Sequence, residues 1–103
     1  MPLVRIDLPR GADRRAVSEA VHAALVETIG IPPQDRFQVI REHGGAELFV
    51  EITISFGRTV EQRRAIFEHI AARCPEARVA VVETERANWS FGNGLAQYAV
   101  APG

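Results

Sequence analysis

The chain has 103 residues, of which 47% are hydrophobic, and its formal net charge is −1 at pH 7. This length and composition predict one globular domain over residues 1–103 and argue against disorder. All twelve basic residues are arginine and they are scattered, while apolar runs are short, so we expect no nucleic-acid partner, no membrane insertion and no signal peptide. The single cysteine, Cys74, allows no internal disulfide, which favours a cytoplasmic protein.

The first half of the chain predicts a strand over residues 2–8, a helix over residues 13–29 and a second strand over residues 36–41. Apolar residues occupy every second position of the first strand: Val4, Ile6 and Leu8. They recur on one face of the helix: Val17, Ala20, Val21, Ala24 and Leu25. Gly30 follows the last helical turn, and the prolines after it stop the helix from continuing.

The second half repeats this order. After a turn over residues 43–45, a strand is predicted over residues 48–56, with these residues on one face: Val50, Ile52, Ile54 and Phe56. Thr59 and Gln62 form a capping box, which predicts the start of a second helix. That helix is expected to bury Ile66, Phe67, Ile70, Ala71 and Cys74. A fourth strand follows over residues 79–83, and residues 91–94 predict a tight turn near the carboxyl end.

These elements predict an α+β fold in which tandem β-α-β units form a four-stranded mixed sheet. Both helices should lie on one face of the sheet, because each crossover between parallel strands is right-handed, and a short turn or hairpin should follow at the carboxyl end. The opposite face of the sheet is then uncovered in a single chain. We therefore expect the chain to associate into an oligomer.

A pseudo-twofold axis between the halves makes strands one and three antiparallel neighbours. The start of strand one then lies at the same edge of the sheet as the start of strand two and the ends of strands three and four. Six candidates converge on this edge: Pro2, Asp35, Phe56, Arg58, Trp89 and Phe91. The convergence predicts a functional site there.

Pro2 directly follows Met1, and its small side chain predicts that Met1 is removed. A free secondary amine would remain, and burial or nearby cations lower the pKa of such an amine so that it serves as a base, an acid or a nucleophile. The alternative is that Pro2 only protects the amino terminus. If Met1 is retained, Pro2 is an amide without basicity.

The other candidates also have two interpretations. Arg58 lies beside the start of the second helix, where it either binds an anion together with the helix amides or is a solvated surface residue. Asp35 suits an ordinary turn after Pro-Pro-Gln, and Trp89 and Phe91 suit either the core or an apolar pocket wall. His22, at the border of the apolar stripe of the first helix, is either a buried, hydrogen-bonded residue or part of a site.

No spacing of histidine, cysteine or acidic residues suggests a metal site, and no phosphate-binding loop or paired serine or cysteine nucleophile is present. We therefore expect no metal and no cofactor.

Four stretches carry a family likeness: residues 1–3, 30–38, 54–62 and 82–92. They resemble the tautomerase superfamily, small β-α-β proteins that use an amino-terminal proline, and within it the malonate semialdehyde decarboxylase branch. The resemblance implies that Pro2 is the catalytic amine, that Arg58 binds a substrate carboxylate and that Asp35 positions water or holds the protonation state of the proline. Trp89 and Phe91 match aromatic residues that form the pocket wall in the family. His22 matches, more loosely, a helix histidine that recurs in related members.

One departure from the decarboxylase branch concerns charge. That branch has two arginines flanking one residue, whereas here Phe56 stands in the first position and only Arg58 in the second. A single cation suffices for keto–enol proton transfer but weakens the case for decarboxylation. The resemblance therefore predicts a homotrimeric tautomerase acting on a small 2-oxo acid or related carboxylate. The alternatives are a malonate semialdehyde decarboxylase, a hydratase or dehalogenase-type enzyme at the same site, or a catalytically silent trimeric binding module.

Overall fold

The computed structural model describes residues 2–97. Four strands span Leu3–Pro9 (β1), Phe37–His43 (β2), Phe49–Ser55 (β3) and Arg78–Thr84 (β4). Two helices span Arg14–Ile29 (α1) and Val60–Ala71 (α2), and a short 3₁₀ turn spans Arg86–Asn88. The predicted removal of Met1 lies outside the described residues.

The sheet has the order β2-β1-β3-β4. β1 runs parallel to β2 and antiparallel to β3, and β3 runs parallel to β4. Each half of the chain is thus a β-α-β unit, and the two units join along the central antiparallel pair. The predicted fold class and the predicted pairing of strands one and three are confirmed.

The core lies between the sheet and the two helices. The inward positions of the two central strands are fully buried: Val4, Ile6, Leu8, Val50, Ile52 and Ile54. The predicted stripe of α1 is also buried, and Ser18 and His22 join it. At the sides of the sheet, ion pairs link α1 to β2 through Arg14 and Glu42 and α2 to β4 through Arg63 and Glu83. The inward side chains of the sheet form one core cluster with residues of both helices, so both helices cover the same face of the sheet.

Helix ends follow the sequence signals. The Asp13 side chain accepts a hydrogen bond from the Ala16 amide at the start of α1, and Gly30 ends this helix with φ +69°. At the start of α2 the predicted capping box is present, because Thr59 and Gln62 exchange both hydrogen bonds. Across residues 2–97, neither helix has the length and hydrophobicity needed to cross a bilayer.

Three apolar residues lie elsewhere than predicted. Phe56 does not share the buried face of β3: the strand ends at Ser55, the chain turns at Gly57 with φ +113°, and the Phe56 side chain is 62% exposed. In α2 only Ile66 and Ile70, one helical turn apart, are buried. Phe67 is 37% exposed and Ala71 is also exposed, because both point to the side of this stripe.

The predicted turn near the carboxyl end is present. The Leu95 amide donates to the Gly92 carbonyl oxygen at 3.2 Å, and Asn93 adopts a positive φ of 57°. Any strand continuing from this turn would fall in residues 98–103, which lie outside the described residues.

Candidate active site

A pocket of about 420 Å³ opens at the edge of the sheet where β1 begins and β3 ends. Its lining combines an apolar floor with two arginines and the segment that follows β3: Pro2, Ile29, Ile31, Ile54, Ser55, Phe56, Gly57, Arg58 and Arg86. This volume lies in the range of sites for small molecules. Three of the predicted site residues, Pro2, Phe56 and Arg58, meet here. We call it the Pro2 pocket.

Pro2 is buried at the base of this pocket. The next residue, Leu3, pairs with Thr53 of β3 on one side and with Phe37 of β2 on the other. Because β1 is a central strand, its start is fixed by both neighbours. The ring of Pro2 is therefore held at a defined position beside the end of β3.

Arg58 is half-buried and lies between β3 and α2. Its backbone carbonyl accepts a hydrogen bond from Nη1 of Arg63 at 2.7 Å. The same Nη1 lies 3.1 Å from Oε1 of Glu83 on β4. Arg63 thus ties the backbone of Arg58, a residue that lines the pocket, to the neighbouring strand.

Arg86 begins the 3₁₀ turn after β4 and is the second arginine among the residues that line the pocket. Thr84, the last residue of β4, accepts hydrogen bonds both from the segment that precedes Arg58 and from the segment that follows Arg86. Its carbonyl oxygen accepts the Phe56 amide at 3.1 Å, and its hydroxyl accepts Nε1–H of Trp89 at 2.7 Å. The chain before Arg58 and the chain around Arg86 are therefore joined at one residue.

The two predicted aromatic walls lie next to the pocket but do not line it in the described chain. The rings of Trp89 and Phe91 stack, with centroids 5.7 Å apart and planes 8° apart. Trp89 is half-buried and Phe91 is 38% exposed. The role of this pair as a pocket wall stays a prediction.

Asp35 and His22 also lie outside the pocket lining among residues 2–97. The Asp35 amide donates to the Pro32 carbonyl oxygen at 2.9 Å, which is the predicted turn. His22 is buried, and its Nε2 lies 2.7 Å from the carbonyl oxygen of Pro33. His22 thus holds the loop that carries Asp35 onto α1. The catalytic role of Asp35 and the substrate contact of His22 stay predictions.

Three residues near the pocket have no strong signal in the sequence: Arg63, Thr84 and Arg86. Arg63 pairs with a residue twenty positions away, and no local pattern marks such a contact. Arg86 carried a weak signal, since it lies within the family-like stretch 82–92 and follows a predicted strand that ends at the same sheet edge as Arg58. Within the described residues, no group of three or more histidine, cysteine or acidic side chains could hold a metal ion.

The residues of this pocket suit proton transfer on an anion. A buried proline at the start of the chain lies in a cavity with two cationic side chains and an apolar floor. Cations in such a site bind an acid group and stabilise negative charge as it develops.

Known proteins match this chain over most of its length. A family model described as tautomerase enzyme matches residues 2–47. Probable tautomerase YrdN of Bacillus subtilis is 32% identical, over 95% of this chain and 96% of its own. The chain belongs to the tautomerase family. Probable tautomerase YusQ of the same organism is 29% identical to this tautomerase-family chain, over 94% of it and 98% of the relative.

Solved structures have the same tautomerase fold. FG41 malonate semialdehyde decarboxylase, inhibited by 3-bromopropiolate, is 34% identical with a TM-score of 0.82, and the match covers 93% of each chain. A fused 4-OT, solved as a symmetric trimer, is 21% identical with a TM-score of 0.75, over 93% of this chain and 97% of its own. At that identity the second likeness shows the fold alone.

Proposed function

We propose that this tautomerase-family chain is an enzyme that catalyses keto–enol proton transfer on a small 2-oxo acid or related carboxylate. The observation that carries the proposal is that Pro2 and Arg58 line one pocket although they are 56 positions apart in the sequence. A base and a fixed positive charge in one cavity are the minimum that enolisation of such an acid needs.

In the proposed mechanism Met1 is removed and Pro2 carries a free secondary amine. The neutral nitrogen takes a proton from the enol oxygen, or from the carbon next to the carbonyl group, and the resulting prolinium returns a proton at another carbon. Arg58 holds the substrate carboxylate and stabilises the negative charge of the enolate. The apolar side chains of Ile29, Ile31 and Ile54 lower the local polarity of the pocket, which strengthens both interactions.

We also propose a cytoplasmic homotrimer. The uncovered face of the sheet carries apolar side chains, since Phe37 and Val39 on β2 are each 39% exposed. The fused 4-OT that shares this fold is a symmetric trimer. The lone cysteine, which allows no internal disulfide, favours the cytoplasm.

The experiment that tests this function is a kinetic assay of phenylenolpyruvate ketonisation with wild type and Pro2→Ala. We expect the substitution to lower kcat/KM by about a hundredfold or more, since general acid–base catalysis contributes roughly 10²–10⁴. Arg10→Gln is the control, because Arg10 follows β1 at the opposite edge of the sheet. Undiminished activity in Pro2→Ala would refute the proposal.

A second candidate, decarboxylation or hydration at the same site, is favoured by the 34% identity to FG41 malonate semialdehyde decarboxylase. In that chemistry protonated Pro2 polarises the substrate, and Asp35 directs a water molecule in the hydration. The same assay series separates the two, because Asp35→Asn should impair hydration and leave ketonisation nearly unchanged. Ketonisation lost in Asp35→Asn but retained in Pro2→Ala would contradict both.

A further inference from the structure

A second cavity, of about 290 Å³, opens at the edge of the sheet opposite to the Pro2 pocket, where β1 ends and β3 begins. Four segments enclose it: the end of β1, the start of α1, the residues before β3 and the residues after α2. We call it the Cys74 pocket, because the single cysteine of the chain lines it. We infer that this pocket binds a small neutral apolar molecule with the size of a substituted benzene ring.

The base of the Cys74 pocket is apolar and buried. Val17, Leu48 and Cys74 line it, and none of the three is more than 5% exposed. The lining residues nearer to solvent include three alanines: Ala12, Ala16 and Ala46. Methyl groups and a thiol hold water weakly. An apolar ligand that displaces this water therefore gains free energy.

The start of α1 lies at this pocket, but its polar groups do not favour an anion. A helix start binds anions through its unpaired amides. Here Asp13 caps the helix, and its carboxylate already accepts the Ala16 amide at 3.0 Å. A bound anion would have to displace this carboxylate or lie beside its negative charge.

The segment after α2 offers no fixed charge at the base of the pocket. Arg73 and Glu76 line the pocket as exposed residues of opposite charge. Burial and the nearby Glu76 carboxylate raise the pKa of the Cys74 thiol, so the sulfur is neutral at pH 7. A charged ligand would lose its hydration against an uncharged base, which costs free energy.

The volume of the Cys74 pocket sets the size of the ligand. An apolar cavity of about 150 Å³ is large enough to hold benzene. The Cys74 pocket, at about 290 Å³, therefore has room for one ring with a short substituent. In the described chain no residue lines both pockets, so the inference does not depend on the proposed function.

The test compares three probes with the same number of carbon atoms: toluene, benzoate and benzylammonium. Each is titrated into the full chain and followed in two-dimensional NMR spectra through the methyl groups of Val17 and Leu48. We expect toluene to shift these signals and to bind about tenfold or more tightly than either ion, because each ion has to lose hydration at the apolar base.

Two variants fill the pocket from different segments. Ala16→Leu and Ala46→Leu should each weaken toluene binding by about tenfold or more, because the added carbon atoms occupy the space of the ligand. Both alanines are exposed, so the larger side chain does not enter the core. Ala71→Leu is the matched control, since Ala71 is exposed at the end of α2 and does not line the pocket. It should leave the affinity for toluene unchanged.

The single cysteine supplies an independent measurement. Peptide mass gives the rate at which N-ethylmaleimide alkylates Cys74 with and without toluene. At a toluene concentration equal to the measured Kd, half of the protein is occupied and the rate should fall about twofold. An unchanged rate, unshifted Val17 and Leu48 signals, binding of either ion as tight as that of toluene, or full toluene affinity in both Ala16→Leu and Ala46→Leu would overturn the inference.

Discussion

Arg63 contacts the backbone of Arg58, the residue that we propose binds the substrate carboxylate. Its guanidinium donates to the Arg58 carbonyl oxygen and pairs with Glu83, and both ionic side chains are about three-quarters buried. This contact fixes the backbone that carries the Arg58 side chain. We therefore regard Arg63 as a positioning residue.

Replacing Arg63 by methionine keeps the aliphatic stem and removes both contacts. We expect KM for the enol substrate to rise about tenfold with a smaller change in kcat, because substrate binding depends on where Arg58 lies. The free energy of unfolding should fall by about 1–2 kcal/mol. Steady-state kinetics and urea denaturation measure the two effects.

Arg64→Met is the matched control, since Arg64 is the next residue, is exposed and makes no contact of this kind within the described chain. It should change neither quantity. An unchanged KM in Arg63→Met would contradict the positioning role of Arg63.

At the residue scale, the sequence indicates which side chains suit the proposed chemistry, but it does not indicate which side chains contact one another across elements. Pro2 and Arg58 could be selected because a proline after methionine and an arginine at a helix start are unusual in themselves. Arg63 and Thr84 could not, since their importance comes from partners on other elements. Phe56 was misplaced on the buried face because strand alternation was continued one residue past the end of β3.

At the element scale the sequence predicted all four strands and both helices, with most ends displaced by one or two residues. The exception is α2, which ends at Ala71, so that Cys74 is buried beyond the helix and not within it as predicted. These signals are local: alternation of apolar residues, a capping box and a glycine after the last helical turn. The pairing of β1 with β3 also followed, because two similar β-α-β halves have few ways to form one sheet.

The two helix caps offer a matched pair of substitutions. Asp13 caps α1 and Thr59 caps α2, each through one side-chain hydrogen bond to a helix amide. Replacing either by alanine should lower the free energy of unfolding by about 1 kcal/mol. Only Thr59→Ala should also raise KM, because Thr59 adjoins Arg58. The expected rise is about threefold to fivefold, which is the change in binding that corresponds to a loss of about 1 kcal/mol.

Thermal or urea unfolding together with steady-state kinetics measures this difference. The Asp13→Ala variant controls for a general loss of stability. A rise in KM of the same size in both variants would contradict the prediction that the start of α2 affects the position of Arg58.

At the scale of the whole molecule, the site lies where the two halves of the chain meet. Pro2 comes from the first half, and both arginines come from the second. Neither β-α-β unit could form the pocket alone, because Pro2 precedes β1, whereas Arg58 and Arg86 follow β3 and β4. The candidate aromatics, Asp35 and His22 lie close to this edge without lining the pocket of one chain, and the uncovered sheet face is where the proposed trimer would form.

The absence of lysine from the chain permits one direct test. An amine-directed acetylating reagent can attack only the amino terminus, and acetylation converts that amine into an amide without basicity. The measurement is intact and peptide mass of the acetylated protein, set against its remaining phenylenolpyruvate activity. We predict that the acetyl group lies on Pro2, that Met1 is absent, and that activity falls in proportion to the acetylated fraction. Full activity in protein that is completely acetylated on Pro2, or in protein that retains Met1, would contradict it.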